Sequence, residues 1–257
     1  MSMLSSLSFS FHRLKKIIKN APNLLSGYNI YVDRDKLRLI DHAFTHIMPD
    51  ARSFADLGGV WNVNAGYTLY AMRHHAIHRG LLVDTNFPDG LRERLSAVPN
   101  LSVIHGDFAQ PETVARVGEV DAVLFFDVLL HQANPSWKEI LAAYAQNVRC
   151  FIIFNQQYIR GTETIRLTDL PLEEYIAVAP KGRDEVYRYA YAHANEIHPQ
   201  YNKPWKDIHN IFQWGITDSD LRNTMSGLGF SEVHYKNYGR FSNLPAFENH
   251  AFIFVKK

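Results

Sequence analysis

The stretch Val120-Asp121-Ala122-Val123-Leu124-Phe125-Phe126-Asp127-Val128-Leu129-Leu130-His131 decides the fold. Its apolar residues 123–126 run without alternation and stop at a carboxylate. A strand apolar on both sides is buried on both faces, as parallel strands covered by helices are. Residues 151–154, Phe-Ile-Ile-Phe, repeat the pattern downstream. Upstream, short apolar runs fall at 53–57, 81–84 and 101–105; helical periodicity falls at 65–79 and, downstream, at 136–147. Strands alternating with helices of this length imply crossover connections and a parallel sheet with helices on both faces.

The end of the chain departs from that alternation. Thr217-Asp218-Ser219-Asp220 opens a helix with N-cap chemistry, and Gly227 or Gly229 closes it. Two strands follow at 231–238 and 250–255 with only a loop between them, so they pair antiparallel. The expected fold is α/β, a doubly wound sheet, mostly parallel with an antiparallel last strand. Residues 161–213 interrupt it. They are rich in Tyr, His and Pro, show no obvious strand, and carry one helix near 184–195. A segment of that length reads as a lid or an inserted subdomain.

Composition sets limits. The chain has 257 residues, 46% hydrophobic and 21% charged, with a formal net charge of +1. No basic run in its body supplies the concentrated Lys/Arg surface that phosphate contacts demand, so nucleic acid is not an expected partner. A lone cysteine, Cys150, excludes an internal disulfide framework and fits a reducing cytoplasm. No run approaches the roughly 20 apolar residues of a membrane-spanning helix. Residues 1–27 lack acidic side chains, and Arg13, Lys15, Lys16 and Lys19 interleave with Leu14, Ile17 and Ile18. This basic amphipathic segment suits a packing helix, a transit peptide, or a weak membrane-surface or partner contact.

Acidic residues end the successive strands. Asp56-Leu57-Gly58-Gly59 closes the first, and Gly66 opens the next helix. Glycines there let a ligand approach the backbone, and the helix N-terminus offers unpaired N–H donors. The spacing is not G-x-G-x-x-G, because Val60-Trp61-Asn62-Val63-Asn64 lengthens the loop. Asp84 closes the second strand, with Thr85 beyond it, where a carboxylate can accept from both ribose hydroxyls. Asp107 follows the third strand and suits an adenine amino group, with Phe108 packing on the ring. Asp127 ends the fourth. Each alone reads as a cap or solvated carboxylate; the series points to a ligand at the carboxyl edge.

These pieces resemble class I S-adenosylmethionine-dependent methyltransferases of the small-molecule type, over residues 53–154 and 216–257. The matching motifs are F-A-D-L-G-G, L-L-V-D, H-G-D-F, the run from Val120 to Pro135, and the terminal L-G-F-S-E-V. The resemblance implies a Rossmann-like domain at 49–160 and 214–257, a helical cap at 1–48, and an acceptor-binding insertion at 161–213. It implies S-adenosyl-L-methionine as cofactor. Asp56, Gly58 and Gly59 would line its methionine end, Asp84 the ribose, Asp107 and Phe108 the adenine, and Asp127 the methionyl amino group, with Thr85 a further cofactor contact. The lengthened loop leaves Trp61, Asn62 and Asn64 to replace missing glycine contacts or to shape the acceptor site. The acceptor would be a small molecule or glycan, methylated at oxygen or nitrogen, and a homodimer is compatible with the fold.

His131 lies four residues past Asp127 and is the candidate base, since imidazole is matched to neutral pH. Trp61, Tyr158, Arg160, Tyr187 and Tyr191 are candidate acceptor contacts, their alternative being aromatic packing. His74 and His78 share a face if the helix spans both, but no partner ligands accompany them, and no metal is expected. Two rivals remain. A nucleotide-dependent oxidoreductase would show a cleaner glycine fingerprint and no reversed last strand. A non-catalytic protein of the same fold would keep the pocket without the chemistry.

Overall fold

A computed structural model describes residues 32–200, 202–209, 211–241 and 244–257. The basic segment at 1–27 lies outside them. The chain forms two compact units, one ending at Leu124 and one beginning at Phe125.

In the first unit, helix α1 (Arg34–His42) precedes strand β1 (Ser53–Leu57), helix α2 (Gly66–His74) and strand β2 (Arg79–Asp84). Helix α3 (Leu91–Ser96), strand β3 (Leu101–His105), helix α4 (Pro111–Val117) and strand β4 (Val120–Phe126) follow. β1 runs parallel to β2 and to β4, and β2 runs parallel to β3. Phe54, Ala55, Leu82, Val83, Val123 and Leu124 are fully buried, as apolar strands covered on both faces should be. The amino ends of β1 and β4 are pinned by Asp121, whose Oδ2 accepts from the backbone N–H groups of Arg52 and Ser53 at 2.8 and 3.0 Å.

The second unit contains helix α5 (Trp137–Ala145), held by a capping box between Ser136 and Glu139, and then strand β5 (Val148–Tyr158). A two-residue strand β6 (Ile165–Arg166) pairs antiparallel with β7 (Trp214–Gly215). Helices α6 (Leu172–Val178) and α7 (Asp184–Ala192) lie between them in sequence. Helix α8 (Asp218–Gly227) starts at its Thr217 N-cap, and strands β8 (Phe230–Phe241) and β9 (Leu244–Lys256) close the chain. β9 is antiparallel to both β5 and β8. The seven-stranded order is β3-β2-β1-β4-β5-β9-β8, so the mostly parallel sheet with a reversed last strand is as expected.

Several boundaries differ from the sequence reading. The helix expected over 65–79 stops at His74 because His75 turns extended, which frees residues from Arg79 for β2. His78 therefore lies beyond the helix and shares no helical face with His74. α3 and α4 are too short to show periodicity. β5 continues three polar residues past its apolar run, because Asn155, Gln156 and Gln157 pair with His250, Asn249 and Glu248 of β9. Strand β6 inside the inserted segment, and its partner β7 just after it, are too short to give a sequence signal.

Candidate functional site

In the first unit, the loop between β1 and α2 is built around Asp56. This carboxylate is 1% exposed, and its Oδ2 accepts from the Thr68 hydroxyl at 2.6 Å. Burial pushes its pKa up to about 6, and the nearby Asp84 charge adds to the rise, against the Thr68 hydrogen bond and the Lys36 charge. Gly59 lies directly on it: a Cβ there would sit 2.4 Å from Asp56 Oδ2, so no side chain fits. Gly58 takes φ 83°, a left-handed conformation open to glycine.

The residues lengthening the loop are ordered by its own backbone. Asn64 N–H donates to Val60 C=O at 2.8 Å, Ala65 N–H to Gly59 C=O at 3.0 Å, and Gly66 N–H to Val63 C=O at 2.8 Å. Asn62, Asn64 and Ala65 all have positive φ, a cluster of strained residues of the sort functional loops retain. Asn64 is buried, whereas Trp61 is 77% exposed.

The strand ends carry the other carboxylates. Asp84 is buried, and its Oδ2 and Oδ1 accept from the backbone N–H groups of Val60 and Asn86, each at 3.0 Å. Its pKa is raised, because burial outweighs those hydrogen bonds. Thr85 is exposed beside it, its carbonyl 3.0 Å from His105 Nε2. Asp107 is half-buried and orders its own turn by accepting from Ala109 N–H at 2.9 Å, while Phe108 is buried. The register of β1, β2 and β3 thus places Asp56, Asp84 and Asp107 at the carboxyl ends of three adjacent parallel strands. Such an edge suits a ligand with hydroxyl and cationic groups.

In the second unit, Asp127 follows β4 with φ 58° and donates its N–H to Phe154 C=O at 2.8 Å. Its Oδ1 accepts from Gln156 Nε2 at 2.7 Å. His131 ends a 3-10 turn that is joined to the close of the inserted segment at three points. Gln213 N–H donates to Leu130 C=O at 2.9 Å, and Trp214 Nε1 donates to Gln132 C=O. His131 Nδ1 lies 2.9 Å from Ile211 C=O. A carbonyl only accepts, so Nδ1 carries the proton and Nε2 is the acceptor nitrogen of the neutral ring. Nε2 has no hydrogen-bond partner among the described residues. Burial lowers the His131 pKa, against the Ile211 hydrogen bond and the Asp127 charge, and keeps the ring neutral at pH 7.

The aromatic candidates divide. Tyr158 is half-buried, its ring packed over Gly215 and 5.5 Å from the Phe247 ring, and Arg160 is exposed. Tyr187 and Tyr191 pack edge-on and tilted against Tyr175, with centroids 5.0 and 5.3 Å away. Their hydroxyls donate to carbonyls of the same segment: Tyr187 to Pro180 at 2.9 Å, Tyr191 to Leu170 at 3.1 Å. That is the pattern of a packing core. No group of three or more His, Cys, Asp or Glu residues able to hold a metal occurs among the described residues. No described helix is long and apolar enough to cross a membrane.

Sequence reading missed Thr68, Gln156 and Lys36, which orient or offset the site carboxylates. Thr68 and Gln156 carry no motif signal. Lys36 was legible as a cation on the apolar face of a short amphipathic helix.

No protein-family model matches the chain, and no curated protein matches it in sequence. Solved structures do match. A 1,6-didemethyltoxoflavin-N1-methyltransferase from Burkholderia thailandensis, with bound 1,6-didemethyltoxoflavin and S-adenosylhomocysteine, superposes with TM-score 0.56 at 12% identity, covering 98% of this chain and 86% of that one. The N-terminal domain of EvdMO1, in the presence of SAH and D-fucose, gives 0.53 at 15%, covering 96% and 97%. An O-methyltransferase family protein from Burkholderia thailandensis gives 0.52 at 11%, covering 87% and 57%. At these identities the likeness is one of fold, the Rossmann-like fold that these methyltransferase structures share.

Proposed function

We propose that the protein is an S-adenosylmethionine-dependent methyltransferase acting on a small-molecule or glycan acceptor, at oxygen or nitrogen, in the cytoplasm. The observation that carries this reading is the series of carboxylates ending β1, β2 and β3 around a loop that admits only glycine at position 59. The solved structures of the same fold that hold S-adenosylhomocysteine support it.

The residues fit such a cofactor. A carboxylate has about four acceptor positions, and Asp84 uses two of them on backbone N–H groups, so two stay available for ribose hydroxyls. Thr85 lies beside that position. Asp107 and Phe108 suit the adenine amino group and ring. Asp56 is held in a buried site where a cationic ligand offsets the cost of its charge, and Gly58, Gly59 and Asn64 let the chain pass close to the methionine end. Asp127, oriented by Gln156, takes the methionyl amino group.

The bound cofactor supplies an activated methyl group, transferred as the acceptor lone pair forms a bond to carbon and the carbon–sulfur bond breaks. The protein aligns the two partners and excludes water. His131 Nε2 receives the acceptor's proton, its orientation fixed by the Nδ1 hydrogen bond to Ile211. The segment 161–213 serves as lid, with Tyr158 and Arg160 in acceptor binding and Tyr187 and Tyr191 shaping it from within; Trp61, exposed on the glycine loop, is a further candidate acceptor contact.

Calorimetric titration of the purified chain with S-adenosylmethionine and with NADH tests the reading. Micromolar binding of the first and none of the second is expected. Binding of NADH alone would favour the oxidoreductase, and binding of neither would contradict the assignment.

A further inference from the structure

We infer that Gln156 and Asn249 are the polar anchor of the acceptor site and fit it to a planar cyclic amide. The inference rests on the methyltransferase reading above and names the class of acceptor that this site takes.

Gln156 of β5 and Asn249 of β9 are directly paired across the antiparallel ladder, so their side chains leave the same face of the sheet. They are 7% and 6% exposed. The ladder itself uses only backbone groups, and residues Cys150 to Phe154 before them on β5 are apolar and buried. A carboxamide in such a place costs free energy unless its donors and its acceptor are met.

The contacts fix which way each amide points. A carboxylate only accepts, so the Gln156 group facing Asp127 is its NH2, and Nε2 donates to Oδ1 at 2.7 Å. The same nitrogen lies 3.5 Å from Asn249 Oδ1, which leaves the Asn249 NH2 on the far side of its amide. Gln156 Oε1 and Asn249 Nδ2 have no hydrogen-bond partner among the described residues. The paired residues thus offer one acceptor and one donor on the same face.

Aromatic rings continue that face toward the base. Tyr158, two residues past Gln156, shares its side of β5, and its paired residue on β9 is Phe247. The buried Phe247 ring lies 5.5 Å from the Tyr158 ring and 5.5 Å from the Phe212 ring. Phe212 in turn lies 5.1 Å from the His131 ring. Carboxamides, aromatic rings and imidazole therefore follow one another without a break. Rings of this kind favour a flat apolar body. The carboxamides favour an edge on which an N–H and a C=O are neighbours. A cyclic amide combines the two: its N–H donates to Gln156 Oε1, and its carbonyl accepts from Asn249 Nδ2. Another heteroatom of the ring is left for methylation.

The test uses two probes that differ by one donor, 2-quinolone and N-methyl-2-quinolone, on the full chain saturated with S-adenosylhomocysteine. Ligand-observed NMR titration should give about tenfold tighter binding of 2-quinolone, the value of one hydrogen bond at a desolvated group. Asn249→Asp keeps the oxygen that faces Gln156 and replaces the far NH2 by an acceptor. It should weaken 2-quinolone binding about tenfold and leave the S-adenosylhomocysteine affinity as in the wild type. Equal binding of the two quinolones, or binding of neither by the cofactor-loaded chain, would overturn the inference. So would an Asn249→Asp protein that loses cofactor affinity and keeps 2-quinolone. The probe pair needs no variant, so it decides the matter even if Asn249→Asp does not fold. Failure of the wild type to bind S-adenosylhomocysteine would instead remove the methyltransferase reading, and this inference with it.

Discussion

The carboxyl edge of β1–β3 and the inserted segment 161–213 are both dense in polar side chains, but they use them differently. At the strand edge, backbone N–H groups orient Asp84 and Asp107. In the insertion, the hydroxyls of Tyr175, Tyr187 and Tyr191 all donate to neighbouring carbonyls, and their rings pack on one another. Arg166 likewise pairs with Asp207 at 2.9 Å and with Gln213. The first region sets its carboxylates on backbone N–H groups at the strand ends. The second uses its polar groups to hold its own shape, and Ile211 C=O orients His131.

The sharpest break of that contrast is at Asp84. Asp84→Ala removes two charge-assisted hydrogen bonds to ribose, each about 1.5–3 kcal/mol, and should weaken S-adenosylhomocysteine binding at least a hundredfold by calorimetry. Unchanged affinity would show that the strand edge is merely a set of loop caps.

Next in size is Asp56. Its folded pKa of about 6 stands above the ordinary carboxylate value of 3.8, so the folded protein favours the neutral acid. The stability this gives is fully present below pH 3.8 and is lost as pH rises through 6. Asp56→Asn should therefore raise stability at pH 8 by about 3 kcal/mol, and by nothing at pH 3.5, in denaturant titrations. A gain independent of pH would mean that burial of the charge is not its cause.

His131→Ala should leave cofactor affinity intact and slow turnover by about a hundredfold, once an acceptor is in hand. Because burial depresses the His131 pKa, the wild-type rate should fall with decreasing pH only below the usual imidazole range near 6.5. Loss of cofactor binding in this variant would contradict a role confined to transfer. The smallest effect belongs to the insertion: Tyr187→Phe should cost about 1 kcal/mol of stability, the loss of its bond to Pro180, and change neither binding nor rate. A large drop in acceptor affinity would return Tyr187 to the binding surface.

Legibility in the sequence followed the same division. Continuous apolar runs such as Phe125-Phe126 and Phe151-Ile152 marked strands because burial on both faces leaves no room for alternation. The carboxylates after them were visible because chain position alone puts a strand-terminal residue at the sheet edge. What stayed hidden depended on tertiary partners. Gln156 and Gln157 look like a loop until β9 pairs with them. Tyr187 and Tyr191 look like pocket walls until their hydroxyl partners are known. Thr68 and Gln156 are ordinary polar residues whose roles come from the carboxylates they reach.

The central claim is that the cofactor lies on the carboxyl edge of β1–β3. Hydrogen–deuterium exchange of the full chain, with and without saturating S-adenosylhomocysteine, tests it most directly. Protection should concentrate in residues 58–65, 84–86 and 106–109, where the loop and strand-end amides lie. Protection confined to 161–213, or no change at the strand ends, would contradict it.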